Sequence, residues 1–556
     1  MGKTSDILTP RTGLTPRTGL SPRIGDPVPR KEDQRLLTGA GSFSDDVNLD
    51  GQTYATMVRS PHAHARIVRV DSAAALAMPG VLAVLTGADA LADGLGSIPH
   101  HIVIASPPDI SLDNRDGSKH HGTPHYTLPA DRARFVGEAL VMVIGETLAA
   151  ARDGAERVHI DYEPLPLVTD TAAALAENAP LVWDDDFATN LCVDADVGDE
   201  AATDAAFARA AHVVRLHTWI RRVTGVPMEP RAAVGLHDAD TGKYTVYAGS
   251  GGSVRQKREM AETLGIDQEL IRVVMRDVGG NFGTRNAFYP EFALVAWASR
   301  RVGRPVKWTC ERSEAFLSDH QGRDLVVEAE LALNEDGDFI GLRGSNISNV
   351  GGHTVSFVPL AKGVEIMSGV YQIPATYFRA RATLSNTPST NPYRSAGRPE
   401  VNFVLERLVD LAARQCGFDR IDIRRRNMIP PSAMPYENGL GMTYDSGTYE
   451  AAMDSALALG DADGFAARRA ESLARGKLRG FGIGAYVETS TGAPRERTEI
   501  TVQPEGRVDV IIGTQSSGQG HETSFAQVVA DMLCKPVEQV TIIYGDTSVV
   551  SVGGGS

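Results

Sequence analysis

Alternating and helical patterns of apolar residues divide the first part of the chain into strands and helices. Tyr54–Val58 and the almost wholly apolar Glu138–Ile144 are typical of strands, and we expect the second to be central in its sheet. A helical spacing extends over Thr147–Val158. Residues 1–25 hold three related hexads, beginning with LTPRTG, whose composition cannot bury a core. We therefore predict a flexible tail there.

From residue 200 onward, strands alternate with helices whose ends carry clear signals. Pro290 opens a helix at its favoured first position, and Gly303 closes it. Another helix begins near Pro399 and stops at Gly417. The last unit, which begins near residue 445, is predicted to contain the elements Arg507–Ile512, Glu522–Leu533 and Val540–Tyr544.

These patterns predict several units along the chain. A mixed α/β domain covers residues 26–170, and an acidic, alanine-rich segment at 171–199 reads as a linker. A larger α/β unit covers 200–430, and a last unit covers 445–556. The final residues form a glycine-rich turn without a closing element, so we expect the last unit to be incomplete.

Composition and charge narrow the class of protein. The 556 residues are 42% hydrophobic and 22% charged, which excludes disordered, collagen-like and coiled-coil proteins. No stretch approaches the ~18 consecutive apolar residues of a membrane span. A net charge of −15 argues against nucleic acid and anionic membranes as partners. The four cysteines never form CxxC, so we expect no iron–sulfur or zinc site in this chain and a reducing cytoplasm as its compartment.

Two glycine-rich segments are the strongest candidates for chemistry. Gly518–Thr523 follows a strand and opens a helix, where unpaired N–H groups and the helix dipole suit a phosphate. A tight turn without a ligand explains the same pattern equally well. Val278–Gly283 also follows a strand, and its glycines indicate a close backbone approach to another group. A third segment, Gly480–Gly484, does not match GxGxxG and leads into a predicted strand at Ala485–Glu488, which disfavours an NAD-type oxidoreductase.

Nine segments, in order along the chain, resemble one family, the molybdenum-binding large subunits of xanthine dehydrogenase, aldehyde oxidase and carbon monoxide dehydrogenase. The resemblance covers nearly everything from residue 26 to 556. The segments are VPRKEDQRLLTG (28–39), RSPHAHARI (59–67), FVGEA (135–139), DYEPLP (161–166), PMEPR (227–231), DVGGNFG (277–283), GRPVKW (303–308), PYRSAGRP (392–399) and GQGHET (518–523).

The resemblance implies an α+β fold, with a hammerhead-like α/β domain followed by two molybdopterin-binding α+β domains. The cofactor would be molybdopterin, in bacteria often the cytosine dinucleotide, and its dithiolene would hold the molybdenum without a protein ligand. Gly283 would offer its N–H to the oxo ligand of the metal. The cofactor-binding residues implied in this way are Gly280, Phe282, Gly283, Arg394, Ser395, Ala396, Gln519, Gly520 and His521. Gly251 and Tyr393 would lie beside the substrate.

The same resemblance implies a hydroxylation in which water supplies the oxygen and a glutamate takes the proton. The expected substrate is an aldehyde or an N-heteroaromatic. Electrons would leave through 2Fe–2S centres to FAD. Because this chain has neither motif, we expect an iron–sulfur small subunit and an FAD-binding medium subunit as partners.

Four departures from the family pattern sharpen the expectation. Gly251 replaces a frequent active-site glutamine, which removes a hydrogen bond or admits a larger substrate. Ser395 replaces the copper-binding cysteine of carbon monoxide dehydrogenases, and Asn286 replaces a glutamate of purine hydroxylases. The family's catalytic glutamate lies in a C-terminal stretch beyond this chain, so no base is assigned. We therefore expect the isolated chain to be inactive, with a separate C-terminal polypeptide or a longer chain completing it, and a non-catalytic cofactor scaffold as the alternative.

Overall fold

The computed structural model describes residues 24–100, 102, 110–489 and 496–555. The predicted tail at residues 1–25 lies, up to residue 23, outside this range. The α-helices of the described residues are Lys31–Leu37, Ala73–Leu76, Gly87–Ala92, Leu148–Ala155, Glu200–Ala208, Ser253–Leu264, Pro290–Val302, Arg312–Ser318, Val358–Val364, Arg398–Cys416, Asp422–Asn427, Tyr449–Leu459, Phe465–Ala474 and His521–Leu533. In the described part of the chain, we find no helix with the length and apolarity needed to span a membrane.

A seven-stranded mixed sheet joins the predicted first and second domains. Its strands, in spatial order, are Ile271–Val274, Tyr244–Ala248, Ala232–His237, Val306–Thr309, Thr53–Arg59, Ala139–Gly145 and Val81–Thr86. Thr53–Arg59 pairs in parallel with Val306–Thr309, so the sheet crosses the predicted boundary between residues 170 and 200. Ala139–Gly145 is buried at every position and lies between two other strands, as its apolar run predicts.

Helix Pro290–Val302 forms the centre of the core on this sheet. Its residues from Phe292 to Ala298 are at most 1% exposed, as expected for a helix that is apolar on all sides. The helix rests directly on Gly235, where an added Cβ would lie 2.4 Å from the carbonyl oxygen of Val295. Left-handed Gly303 ends it, as predicted.

A five-stranded sheet carries the second large core. Its strands, in spatial order, are Leu191–Gly198, Thr376–Leu384, Phe339–Gly351, Leu325–Leu333 and His212–Ile220. Helix Arg398–Cys416 packs on this sheet with its apolar stripe. The expected linker at 171–199 is therefore wrong in its second half, since Leu191–Gly198 is an edge strand paired with Thr376–Leu384. The acidic residues misled the prediction because they lie on the exposed face of that strand.

The smaller sheets complete the described structure. One three-stranded sheet has the strands Arg132–Ala133, Ala65–Asp71 and His159–Pro164. A second three-stranded sheet, in the last unit, has the strands Thr498–Val502, Val508–Ile512 and Val540–Ile543. Two-stranded ribbons pair Gln321–Gly322 with Val223–Thr224 and Tyr436–Glu437 with Thr443–Tyr444. Helix His521–Leu533 packs on the sheet of the last unit. The predicted strand at Ala485–Glu488 is wrong. The segment pairs with no neighbouring strand in the described structure, and Tyr486 is exposed.

Candidate functional site

A cavity of about 660 Å³ lies where three distant segments of the chain meet. One wall is the N-terminal arm, which we define as residues 30–43. The other walls are two glycine-rich loops, which we call the first loop (277–283) and the second loop (516–520). Its lining residues are Arg30, Glu32, Arg35, Leu36, Phe43, Asp277, Val278, Gly279, Gly280, Asn281, Phe282, Gly283, Arg394, Ser516, Ser517, Gly518, Gln519, Glu522 and Tyr544. Both glycine-rich segments singled out in the sequence thus open onto one space.

A half-buried carboxylate fixes the start of the first loop. Glu229 accepts hydrogen bonds from the backbone N–H groups of Gly279 (2.8 Å) and Ser44 (3.2 Å). Its own N–H donates to the carbonyl oxygen of Gly279 at 3.2 Å. Burial raises the pKa of the Glu229 carboxyl, while the two N–H donors act against this. The close packing of Glu229 on this loop leaves no room for a side chain at Gly279, where an added Cβ would lie 2.4 Å from the Glu229 Cβ.

The tip of the first loop presents an aromatic ring to the cavity. Phe282 has a left-handed φ of 55° and is 44% exposed, which is unusual for a large apolar side chain next to a core. Gly283 follows with a φ of 90°, and an added Cβ there would lie 2.3 Å from the carbonyl oxygen of Pro392. The loop therefore holds Phe282 toward the cavity by packing that only glycine permits.

The N–H of Gly283 is engaged within the loop. It donates to Oδ1 of the buried Asn281 at 2.8 Å. The role that the family resemblance implies for this N–H, as a donor to the oxo ligand of the metal, stays a prediction. Such a role requires Asn281 to release the N–H first.

Gly251, expected beside the substrate, packs against two asparagines. Asn281 donates from Nδ2 to Oδ1 of Asn286 at 2.8 Å. That same Oδ1 lies 2.1 Å from the position of a Cβ added at Gly251. The room left by the missing side chain is therefore filled by the Asn286 amide, and position 251 offers no extra space for a larger substrate.

A strained turn at residues 394–397 borders the cavity on another side. Arg394, Ser395 and Ala396 have φ values of 22°, 67° and 23°, and Gly397 continues with 88°. Such a run costs about 1–3 kcal/mol at each non-glycine residue and persists only where neighbours hold it. The Arg394 N–H donates to the carbonyl oxygen of Phe282 at 2.9 Å, so the turn is tied to the first loop.

The side chains of the turn face different surroundings. Arg394 lines the cavity, and among the residues that the structure describes its guanidinium has no hydrogen-bond or ion-pair partner. Ser395 lies in an adjacent groove of about 490 Å³, where its hydroxyl donates to Glu488 at 2.8 Å. Ala396 is buried. Tyr393 packs on Gly322 and under Arg323, whose Cζ lies 5.1 Å from the ring centroid.

The second loop is more open. Gly518 and Gly520 have φ values of 105° and 84°, and an added Cβ at Gly518 would meet nothing within 4 Å. The Gln519 side chain folds back to accept from the N–H of Ser517. His521 packs its half-buried ring against Phe525, with centroids 4.8 Å apart, instead of lining the cavity. The structure thus brings Gln519 to the site but not the His521 ring.

Several residues of the site escaped sequence reasoning. Glu229, Arg35 and Glu488 act through contacts with residues far along the chain, which no local pattern reports. Arg35 lies in the segment VPRKEDQRLLTG and Glu229 in the segment PMEPR, and both segments indicated only the resemblance to the family. Within the described ranges, no group of three or more His, Cys, Asp or Glu side chains is arranged to hold a metal ion.

Comparison with family models matches three consecutive parts of the chain. Residues 38–166 match the a/b hammerhead domain of aldehyde oxidase and xanthine dehydrogenase. Residues 183–428 and 455–556 each match a molybdopterin cofactor-binding domain.

Curated relatives and solved structures extend over nearly the whole chain. The gamma subunit of the 6-hydroxypseudooxynicotine dehydrogenase complex of Paenarthrobacter nicotinovorans is 32% identical, with 96% of this chain and 66% of the relative covered. The carbon monoxide dehydrogenase large chain of Hydrogenophaga pseudoflava is 31% identical, over 95% of this chain and 67% of the relative. Quinoline 2-oxidoreductase from Pseudomonas putida 86 superposes with a TM-score of 0.86 at 34% identity, over 95% of this chain and 67% of that one.

The chain spans about two thirds of the length of the curated relatives it matches. The two matched molybdopterin cofactor-binding domains each contain one of the two glycine-rich loops that meet at the cavity. The chain belongs to the family of molybdopterin-binding large subunits that includes xanthine dehydrogenase, aldehyde oxidase and carbon monoxide dehydrogenase.

Proposed function

We propose that this chain is the cofactor-bearing large subunit of a molybdenum hydroxylase that oxidises an aldehyde or an N-heteroaromatic, with water as the oxygen source. One observation carries the proposal. Two glycine-rich loops from different domains face each other across a cavity of about 660 Å³, next to the unpartnered guanidinium of Arg394. Arginine in such a place suits a phosphate or another planar anion.

The residues present fit molybdopterin, proposed here as the cytosine dinucleotide. The cavity volume lies within the range of ligand and cofactor sites. Gly280, Gly518 and Gln519 offer backbone and amide groups along its walls, and Arg394 offers the cation. When bound, the cofactor supplies a redox centre that takes up the two electrons of the oxidation. Gly520 stays a proposed cofactor neighbour as the N-cap of helix His521–Leu533.

The chain's own residues would position the reactants. The exposed ring of Phe282 gives a flat substrate an apolar surface at the cavity. The strained turn at 394–397 holds Arg394 and Ser395 in place, through its bond to Phe282. Glu488 is not proposed as the base, because its carboxylate is paired with Ser395 and with Arg398 at 2.9 Å. No residue of this chain is assigned to take the proton.

The proposed substrate class rests on the relatives and on two side chains. A nicotine 6-hydroxylase large subunit is 30% identical to this chain, and the quinoline oxidoreductase is 34% identical. Both of those names refer to N-heteroaromatic compounds. Ser395 in place of a cysteine argues against carbon monoxide, and Asn286 in place of a glutamate argues against xanthine.

The proposed partners are an iron–sulfur small subunit with 2Fe–2S centres and a medium subunit with FAD. The name of the nicotine-pathway relative as subunit gamma of a complex supports an assembly of this kind. The cytoplasm stays the proposed compartment, because Cys192, Cys310, Cys416 and Cys534 are all free thiols.

Turnover in isotopically labelled water tests the function. The complex purified from its native host is incubated with quinoline or benzaldehyde, a dye as electron acceptor, and ¹⁸O-water. We expect dye reduction and one ¹⁸O in the product. Label from O₂ in the product, or no oxidation of any aldehyde or N-heteroaromatic by a molybdenum-loaded complex, would overturn the proposal. In the second case the non-catalytic scaffold would replace it.

A further inference from the structure

Arg35 of the N-terminal arm places its guanidinium between two carboxylates, one beside each glycine-rich loop of the cavity. Nη2 of Arg35 lies 2.6 Å from Oδ1 of Asp277 and 2.9 Å from Oε1 of Glu522. Nε and Nη1 add contacts to the second oxygens of the same two carboxylates, at 3.4 and 3.2 Å. Asp277 begins the first loop, and Glu522 follows the second loop in helix His521–Leu533.

The two carboxylates are themselves held in place. The N–H of Ser42, also in the arm, donates to Asp277 Oδ2 at 2.8 Å. The Tyr544 hydroxyl donates to Glu522 Oε1 at 2.8 Å. The side chains of Asp277 and Glu522 are only 12% and 20% exposed, so solvent screens the contacts weakly. Two carboxylates that share one guanidinium nitrogen repel each other when the cation is removed.

The arm makes further contacts with the last unit. Lys31 donates from its N–H to the Thr523 hydroxyl at 2.7 Å, and that hydroxyl donates to the buried Glu32 at 2.6 Å. Nζ of Lys31 also reaches the carbonyl oxygens of Val537 and Val540. The arm is thus one attachment of the last unit at the cavity, beside direct backbone hydrogen bonds between that unit and strand Ile271–Val274.

Arg35 itself is poorly suited to bind an anionic ligand. Its guanidinium is committed to two carboxylates, and these hydrogen bonds raise the pKa of Arg35. Its positive charge is more than balanced by Asp277 and Glu522. Among the described residues that line the cavity, Arg394 is the arginine without a carboxylate partner. Arg35 itself joins the two loops through the carboxylates that flank them.

We propose that Arg35 is a positioning residue, which sets the spacing of the first and second loops and thereby retains the cofactor between them. The inference rests on the proposed function and deepens it. Residue 35 lies before residue 38, where the first matched family domain begins, so none of the three matched domains includes it.

The test compares four forms of the full complex: wild type, Arg35→Met, Arg35→Lys and a control, Arg66→Met. Methionine keeps the length of the side chain without charge, and lysine keeps the charge but not the fork that reaches two carboxylates. Arg66 forms a comparable ion pair with Glu163, but at the exposed surface of another sheet. Molybdenum and pterin per chain are measured before and after gel filtration.

We expect Arg35→Met to lose the cofactor about tenfold faster than wild type, since two charge-assisted contacts are removed. Arg35→Lys should lie between them, and Arg66→Met should match wild type. Hydrogen exchange of the cofactor-free proteins supplies a second readout. Segments 277–283 and 516–522 should exchange about tenfold faster in Arg35→Met, with helix Pro290–Val302 unchanged.

The outcomes separate this inference from the proposed function. A wild-type complex without molybdenum defeats the function itself. A wild-type complex that holds molybdenum, with Arg35→Met retaining it equally well and both loops exchanging at the wild-type rate, overturns the positioning role. Faster exchange across the whole chain, including helix Pro290–Val302, would reduce Arg35 to a general stabilising residue and also overturn it.

Discussion

The two glycine-rich loops of the cavity are held in opposite ways. The first loop is anchored from within the protein, by half-buried Glu229 and by the close contact of Gly283 with Pro392. The helix that follows it, Pro290–Val302, is almost entirely buried. In the second loop, a Cβ added at Gly518 would meet nothing within 4 Å, and the helix after the loop exposes 76% of Met532.

This difference indicates how the cavity is assembled. The first loop and the turn at 394–397 form one preorganised wall, since they are joined by the bond from Arg394 to Phe282. The second loop belongs to a unit with a small core, which is attached both through the N-terminal arm and through strand Ile271–Val274. The preorganised wall, formed by the first loop and the turn, can discriminate between ligands by shape. The wall formed by the second loop is held by contacts from outside its own unit, and we expect it to admit a large cofactor.

The largest effect is expected from Gly283→Ala in the first loop. The added Cβ would lie 2.3 Å from the carbonyl oxygen of Pro392, at a φ of 90° that alanine resists. We expect a loss of about 3–5 kcal/mol in the free energy of unfolding, measured by urea titration. The matched change Gly518→Ala in the second loop meets no neighbour and should cost only about 1–2 kcal/mol. Equal losses would contradict the contrast between the loops.

The next largest loss of stability is expected where Asn281 and Asn286 pack against Gly251. Gly251→Ala places a Cβ 2.1 Å from Asn286 Oδ1, so the amide must move and release Asn281. We expect a loss of about 1–3 kcal/mol, most of which Asn286→Ala restores in the double variant. Thermal unfolding of the two single variants and the double variant measures this coupling. Additive losses would show that the two positions do not compete for one space.

A smaller effect is expected where the last unit meets the turn. Glu488→Gln weakens the contacts to Ser395 and Arg398, and Glu488 is 44% exposed. We expect a loss of about 0.5–1 kcal/mol in the free energy of unfolding. The turn itself should keep its conformation, because Arg398 also donates to the Ser395 carbonyl oxygen at 2.9 Å. Crystallography of the variant would contradict this if residues 394–397 left the left-handed region.

The smallest effect is a pH dependence of the stability of helix His521–Leu533, which follows the second loop. Burial lowers the pKa of His521, and nearby Glu32 only partly offsets this. Below the unfolded value of about 6.5, the unfolded chain binds a proton that the folded chain resists, so stability falls as the pH falls. After correction for the intrinsic exchange rate, which itself falls with pH, helix His521–Leu533 should therefore be less protected from hydrogen exchange at pH 5 than at pH 7. The variant His521→Gln should show a weaker pH response, and an identical response would exclude this histidine.

Local signals in the sequence predicted several of the regular elements. Helix Pro290–Val302 and its stop at Gly303 follow from proline and glycine chemistry. The linker was wrong because the acidic residues of Leu191–Gly198 obscured a strand whose partner is almost 200 residues away. The strand expected at Ala485–Glu488 was wrong because a pattern cannot show that a segment lacks a pairing partner.

The candidate site, like the fold, was predicted only in part from the sequence. Glycine spacing and resemblance together located both loops, Phe282 and Arg394, all of which line the cavity. They could not show that Asn281 takes the N–H of Gly283, or that the His521 ring packs on Phe525. Those outcomes depend on side-chain packing in three dimensions.

The central claim is that the two loops enclose a molybdopterin cofactor. Its most direct test is the amount of molybdenum and pterin per chain in the complex purified from its native host, measured by elemental mass spectrometry and by the fluorescence of the oxidised pterin. The account predicts about one molybdenum and one pterin per chain, both lost in Gly283→Ala and retained in Arg66→Met. Purified complex with neither molybdenum nor pterin would contradict it.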